Sequence, residues 1–155
     1  MSAALADADA EVRRRACDLA GRLKMVQLAG QLAEALADAG PGVAEAACYA
    51  LGELELLGGD AATGAVSGLQ STATAHPDPL CREAAIAALG SLQDPAGLPA
   101  VLAGLEDKPA VRRRAVVALA AFDGPEVDAA LARAAHDVDW QVRQVAEDLL
   151  GQRPR

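Results

Sequence analysis

The sequence predicts an all-α fold, an α-solenoid of about five stacked antiparallel helix pairs, and three observations carry that prediction. Five ten-residue segments align on one another: VRRRACDLAG from Val12, VAEAACYALG from Val43, CREAAIAALG from Cys81, VRRRAVVALA from Val111 and VRQVAEDLLG from Val142. Their starts differ by 31, 38, 30 and 31 residues, a period of the kind that marks repeat architectures. The composition agrees, since 52% of the 155 residues are apolar but only 2% are aromatic. Ala and Leu, strong helix formers, supply most of that apolar content, and residues that favour strands are scarce.

Within each segment the first, fifth, eighth and ninth places fall on one face of a helix with 3.6 residues per turn, and they are apolar. These amphipathic helices, termed B, are expected to start near Asp9, Pro41, Asp78, Pro109 and Asp139. A shorter helix A precedes most of them. Met25, Leu28, Leu32 and Leu36 have helical spacing, as do Leu98, Val101, Leu102 and Leu105, then Val127, Leu131 and Ala134. Asp94-Pro95 and Gly124-Pro125 place Pro where a helix can begin, with Asp94 or Asp123 able to cap nearby amides, and Gly58-Gly59 breaks the chain. The units of this single domain run over residues 1–23, 24–57, 58–93, 94–122 and 123–151, with 152–155 as a tail.

Two units are irregular. The third is about seven residues longer, and its A helix must come from DAATGAVSGLQSTATA, with Gly64 and Gly68 inside it. A longer loop near residues 58–64 or a kinked helix is expected there. In the first, only residues 2–6 precede the turn, so helix B from Asp9 to Leu23 has an under-covered flank. Further chain or another subunit is expected to cover it.

The net charge of −8 and pI near 4.7 disfavour nucleic acid, which requires a basic stripe. The two Arg runs, residues 13–15 and 112–114, lie in an acidic background. The N-terminal residues lack the pattern of a signal peptide, and the apolar runs are far shorter than the ~20 residues of a membrane span. A cytoplasmic protein with no membrane or nucleic-acid partner is expected. Cys17, Cys48 and Cys81 form no CxxC pair and read as small buried residues. His76 and His136 sit in turns two repeats apart, about 20 Å at ordinary helix spacing, too far to share a metal. Neither catalytic residues nor a cofactor or metal site is expected.

The turns carry a further pattern. Asp7, Asp38 and Asp137 each lie five residues before Val12, Val43 and Val142. Glu106 holds that register in the fourth unit, with Asp107 beside it if the turn is one residue shorter, and His76 takes the place in the third. The second place of helix B is Arg13, Arg82, Arg112 and Arg143, but Ala44 in the second unit. With the Val-Arg opening, the Ala and the Leu-Gly ending, these repeats resemble the HEAT family, more closely its bacterial HEAT-like branch. The resemblance covers nearly the whole chain. It implies that turn acid and Arg form a hydrogen-bonded ladder between neighbouring repeats. An Asp that accepts from unpaired helix-start amides and also pairs with Arg makes independent physical sense. Asp7, Arg13, Asp38, Arg82, Arg112, Asp137 and Arg143 are therefore read as structural. Hydroxylating members carry His-Glu iron ligands, and this sequence has no His-Glu dipeptide.

The function expected is a scaffold or adaptor that binds another protein or peptide on the concave surface of the B helices. The alternative is a catalytic or cofactor-handling relative, such as a bilin-lyase-like enzyme. On a helical wheel the sixth and seventh places point away from the core: Cys17 and Asp18, Cys48 and Tyr49, Ile86 and Ala87, Val116 and Val117, Glu147 and Asp148. An apolar row bounded by acid is expected to be the interaction patch, with Arg14, Glu45, Glu83, Arg113 and Gln144 of the third place as its mixed-charge rim. Trp140 is expected to pack on the end of its helix.

Overall fold

Proline and aspartate place the helix starts. The structure is a computed structural model that describes residues 1–54 and 59–152. Its B helices are α2 (Ala10–Arg22), α4 (Pro41–Glu53), α6 (Pro79–Leu92), α8 (Pro109–Ala118) and α10 (Trp140–Gln152). Pro41, Pro79 and Pro109 open their helices, where a missing amide hydrogen costs nothing. The Asp9 and Asp78 carboxylates cap α2 and α6 by accepting from Glu11 N and Leu80 N, and Asp139 accepts from Gln141 N. The A helices are α1 (Ser2–Leu5), α3 (Ala29–Ala35), α5 (Gly59–Ala75), α7 (Leu98–Ala103) and α9 (Pro125–Ala134). Short 3₁₀ turns flank α3, α7 and α8. No strand occurs among the described residues. The expected unit boundary at 57/58, Gly58 and the tail beyond Gln152 lie outside the described residues.

Residues 59–75 form one continuous helix of 17 residues, so the loop expected there is absent over 59–64. Gly68 has a packing role in it: a side chain there would come within 2.8 Å of Leu36 Cδ1 on α3.

Each B helix packs on its own A helix and on the B helix of each adjacent repeat, so α4, α6 and α8 have two B neighbours and α2 and α10 one. A seam of small residues draws the B row together. A Cβ at Gly21 would lie 2.7 Å from Ala50 Cα, one at Gly52 2.9 Å from Ala88 Cα, and one at Gly90 3.0 Å from Ala118 Cβ. The tenth place of one B helix thus meets the eighth place of the next, backbone almost on backbone. Such approach makes the B row the tighter of the two layers.

Along the turns runs a ladder of ion pairs. Arg13 Nε and Nη2 donate to the Asp38 carboxylate at 2.7 and 3.0 Å. Arg82 holds Asp107 in the same way at 2.6 and 2.8 Å, and Arg112 holds Asp137 at 2.8 Å through both nitrogens. The fourth-unit acid is Asp107 rather than Glu106, because the turn into Pro109 is one residue shorter. Each Arg also donates Nη1 to a carbonyl of its own turn, as Arg112 does to Asp107 O at 2.9 Å. One rung is missing, between the second and third repeats. Ala44 replaces the Arg, and His76 replaces the acid, its Nδ1 accepting from Asp78 N at 3.1 Å. Both halves of the pair are absent together, so neither leaves a charge unanswered. Cys81 Sγ instead donates to Pro41 O at 3.2 Å across this interface.

The Arg112 guanidinium holds the Asp137 carboxyl below the ordinary carboxylate range, as Arg82 does for Asp107 and Arg13 for Asp38. Arg112→Ala is expected to cost about 1–3 kcal/mol, since it removes a bidentate charge-assisted pair and leaves a largely covered carboxylate. A folded-state pKa below the unfolded value near ~4 means that the pair contributes fully above that value. Its contribution is lost as pH falls through the folded pKa. Urea unfolding at neutral pH and at pH ~3 checks both statements: the variant's deficit should shrink in acid. A deficit of a few tenths at neutral pH would show Arg112 to be merely solvated.

Candidate binding surface

The outer face of the B row is built from the third and seventh places of each helix. Seventh-place residues are Asp18, Tyr49, Ala87, Val117 and Asp148. Tyr49 is 44% and Val117 47% exposed, Ala87 is half-buried, and both terminal Asp residues are exposed. Shallow grooves flank this row. One, of about 340 Å³, lies between α2 and α4 and is lined by Asp18, Arg22, Tyr49 and Glu53 among others. Another, of about 350 Å³ between α6 and α8, is lined by Ala87, Gln93, Arg114 and Val117.

The sixth place is a correction. Cys17, Cys48, Ile86 and Val116 are completely buried, and of that row only Glu147 is exposed. A wheel with a single core face assigns them to solvent, but a B helix has neighbours on three sides. The sixth place points toward the following repeat. Cys48 Sγ lies 3.9 Å from Cys81 O, and Ile86 Cδ1 occupies the space that a Gly104 side chain would need. Cys48, Ile86 and Val116 therefore belong to the core, and the exposed row is one residue wide.

The rim residues are half-buried at Arg14, Glu45, Glu83 and Arg113, and exposed at Gln144. Most are engaged. Arg14 bridges Glu11 and Asp18 at 2.8 and 2.9 Å, Arg113 donates to Gln141, Arg114 reaches Glu83 at 3.2 Å, and Gln144 donates to Asp148 at 3.0 Å. Arg14 and Arg15 together hold the Glu11 carboxyl down to about 2. Glu45 and Glu53 stand one turn to either side of Tyr49 on α4, and among the described residues neither forms an ion pair. Burial and the nearby Glu45 raise the Tyr49 hydroxyl pKa, so it stays a neutral donor.

Burial pushes the Cys48 thiol up to about 12 and the Cys17 and Cys81 thiols to about 11. Thiols so protonated and enclosed are poor nucleophiles. Cys81 and His76 do not pair with each other: the thiol donates to Pro41 O, and the imidazole serves its own turn. Among the described residues no cluster of His, Cys, Asp or Glu has the arrangement of a metal site, and no helix is long and apolar enough to cross a membrane. Trp140 does not pack as expected. It is 64% exposed at the first residue of α10, beside the exposed Val138. The ring stands at the edge of the ladder, where the other repeats carry Ala or Pro.

A family model described as HEAT repeats matches residues 66–151, more than half of the chain. The chain belongs to the HEAT repeat family. No curated protein matches it. The HEAT repeats seen here are similar to solved solenoids at low identity. YibA of Escherichia coli shares 18% identity over 97% of this chain, with a TM-score of 0.69. The match takes in 56% of that protein, so this chain spans little more than half its length. A designed armadillo repeat protein, solved in complex with a (KR)4 peptide, shares 19% identity over 97% of this chain and 79% of its own, with a TM-score of 0.69. A computationally designed armadillo repeat protein for modular peptide recognition shares 20% over the same shares of the two chains, with a TM-score of 0.64. The likeness is one of fold.

Proposed function

We propose that this chain is a protein-interaction scaffold whose partner, a protein segment or peptide, lies along the seventh-place row of the B helices. The observation that carries the proposal is the exposure of Tyr49 and Val117, with Ala87 between them, on a surface whose two ends are acidic. Two large apolar side chains standing in solvent beside shallow grooves supply the buried centre that an interface needs, and the charged rim supplies its edge. Tyr49 brings a ring and a hydroxyl donor together. Solenoids of this kind present continuous surfaces along the stack, and the designed armadillo neighbours include one solved with a bound peptide, which is consistent with this use of the fold. The net charge of −8 makes nucleic acid the weaker candidate.

The test uses peptides selected from a displayed random library against the wild-type chain, with affinities then measured for Tyr49→Glu and Val117→Glu. Both sites face water, so each variant should melt within about a degree of wild type, since exposed sites tolerate substitution. Each should bind selected peptides at least ~10-fold more weakly, because docking must strip water from the new carboxylate. Peptides whose affinity neither substitution alters would place the binding surface elsewhere.

A further inference from the structure

The ladder has two open ends, and they are the two halves of one pair. In Arg13 and Arg82, Nη1 is anchored on two carbonyls of the same turn, at 2.7 and 3.1 Å in each case. That anchor aims Nε and Nη2 at the carboxylate of the next repeat. Arg143 is anchored identically, on Asp137 O and Val138 O at 2.7 and 3.2 Å. Among the described residues no carboxylate answers its Nε and Nη2. At the other end, Asp7 Oδ1 accepts from Asp9 N at 2.9 Å, as Asp38 accepts from Gly40 N at 2.8 Å and Asp137 from Asp139 N at 2.7 Å. Asp38 and Asp137 also receive an Arg from the preceding repeat; among the described residues Asp7 receives none.

The apolar surface follows the same pattern. Val12 is 38% exposed although the first place is buried in every other B helix, and Leu19 and Leu23 are exposed beside it. On α10, Val145, Leu149 and Leu150 are only half covered, and a Cβ at Gly151 would meet nothing within 4 Å. Gly21, Gly52 and Gly90, in the same place, each receive the eighth-place Ala of the next helix. Leu19 is the eighth-place residue of the first B helix, and an open glycine leaves room for its larger side chain.

We propose that copies of this chain stack head to tail, α10 of one against α2 of the next. In this arrangement Arg143 pairs with Asp7 of the second copy, and Leu19 sits at Gly151. The interface continues the contact that already joins the repeats, its charges are complementary, and both charged groups are held in the bonding pose before they meet. Such an interface is heterologous, so it yields an open, concentration-dependent series of species or a ring rather than an isologous dimer.

Charge reversal tests this with the chain itself, by sedimentation velocity over a range of concentrations. Asp7→Arg alone sets Arg against Arg143, and Arg143→Glu alone sets Glu against Asp7. Each variant should associate at least ~10-fold more weakly than wild type, while circular dichroism shows an unchanged helical fold. An equimolar mixture of the two restores an opposite-charge pair at every junction and should recover association. Raising the salt should weaken wild-type association, since it screens the attraction between the two charges before the copies meet. A wild-type chain that stays monomeric at every concentration overturns the proposal, and places whatever covers these faces outside a second copy. Association that both reversals leave intact, or that the mixture fails to recover, overturns it equally.

Discussion

Ile86→Glu is expected to abolish the cooperative fold, or to lower stability by about 4 kcal/mol or more, which thermal melting by circular dichroism would register directly. Ile86 is completely buried. Its Cδ1 fills the space beside Gly104, and Ala115 also borders that glycine. A carboxylate placed there would sit within the hydrophobic core. It must remain charged in apolar surroundings or take up a proton, and both cost free energy. Val117→Glu makes the opposite prediction on the next B helix, because Val117 is 47% exposed and water still solvates the new charge. Ile86→Val separates volume from charge, since removing one methylene costs about 1 kcal/mol in a site of this kind. If Ile86→Glu melted like Val117→Glu, the sixth place would face solvent and the packing described for the B row would be wrong.

The polar parts of the fold were the legible ones. Asp, Gly and Pro before each B helix act through local backbone chemistry, so their effect is contained within a few residues. The described B helices begin within one residue of the expected positions. The Arg and Asp of the turns stand out against an Ala-rich background, and the shorter fourth turn accounts for the choice of Asp107 over Glu106. Apolar places were harder, because a wheel assumes one buried side. With neighbours on three sides, the buried arc extends to the sixth place, and Cys48, Ile86 and Val116 pass from the surface to the core. Only the next repeat decides this, and no single segment contains it. Gly68 is a related case, since it lies inside a continuous helix where α3 comes close to it, and only the neighbouring repeat shows this. The glycines of the tenth place were visible in the aligned segments, as was the Ala at the eighth place of the second, third and fourth. Placing the two together would have indicated the seam.

That seam supplies the second large effect. Gly52→Val is expected to cost at least about 3 kcal/mol, a fall of roughly 6–12 °C in Tm for a chain of this size. A Cβ at Gly52 would lie 2.9 Å from Ala88 Cα and 3.1 Å from Ala88 Cβ. The first of these is backbone, so no rotamer change relieves the clash, and valine adds two further methyl groups. Relief requires α4 and α6 to move apart. They are joined where the ladder has no rung, with Ala44 and His76 in place of Arg and Asp, so no ladder pair resists the separation. Stability in a solenoid is a sum of repeat terms and nearest-neighbour terms. Weakening this one junction should therefore uncouple repeats one and two from repeats three to five, and the melt should broaden or divide into two steps. Gly64→Ala provides the contrast on α5. Its Cβ would meet nothing within 4 Å, so the variant should gain about 0.5–1 kcal/mol by stiffening the unfolded chain. Calorimetry on the two variants distinguishes a glycine kept for close approach from one that is not. A Gly52→Val chain that melted in one step at the wild-type temperature would show that the B helices have room to spare, and that their spacing is set elsewhere.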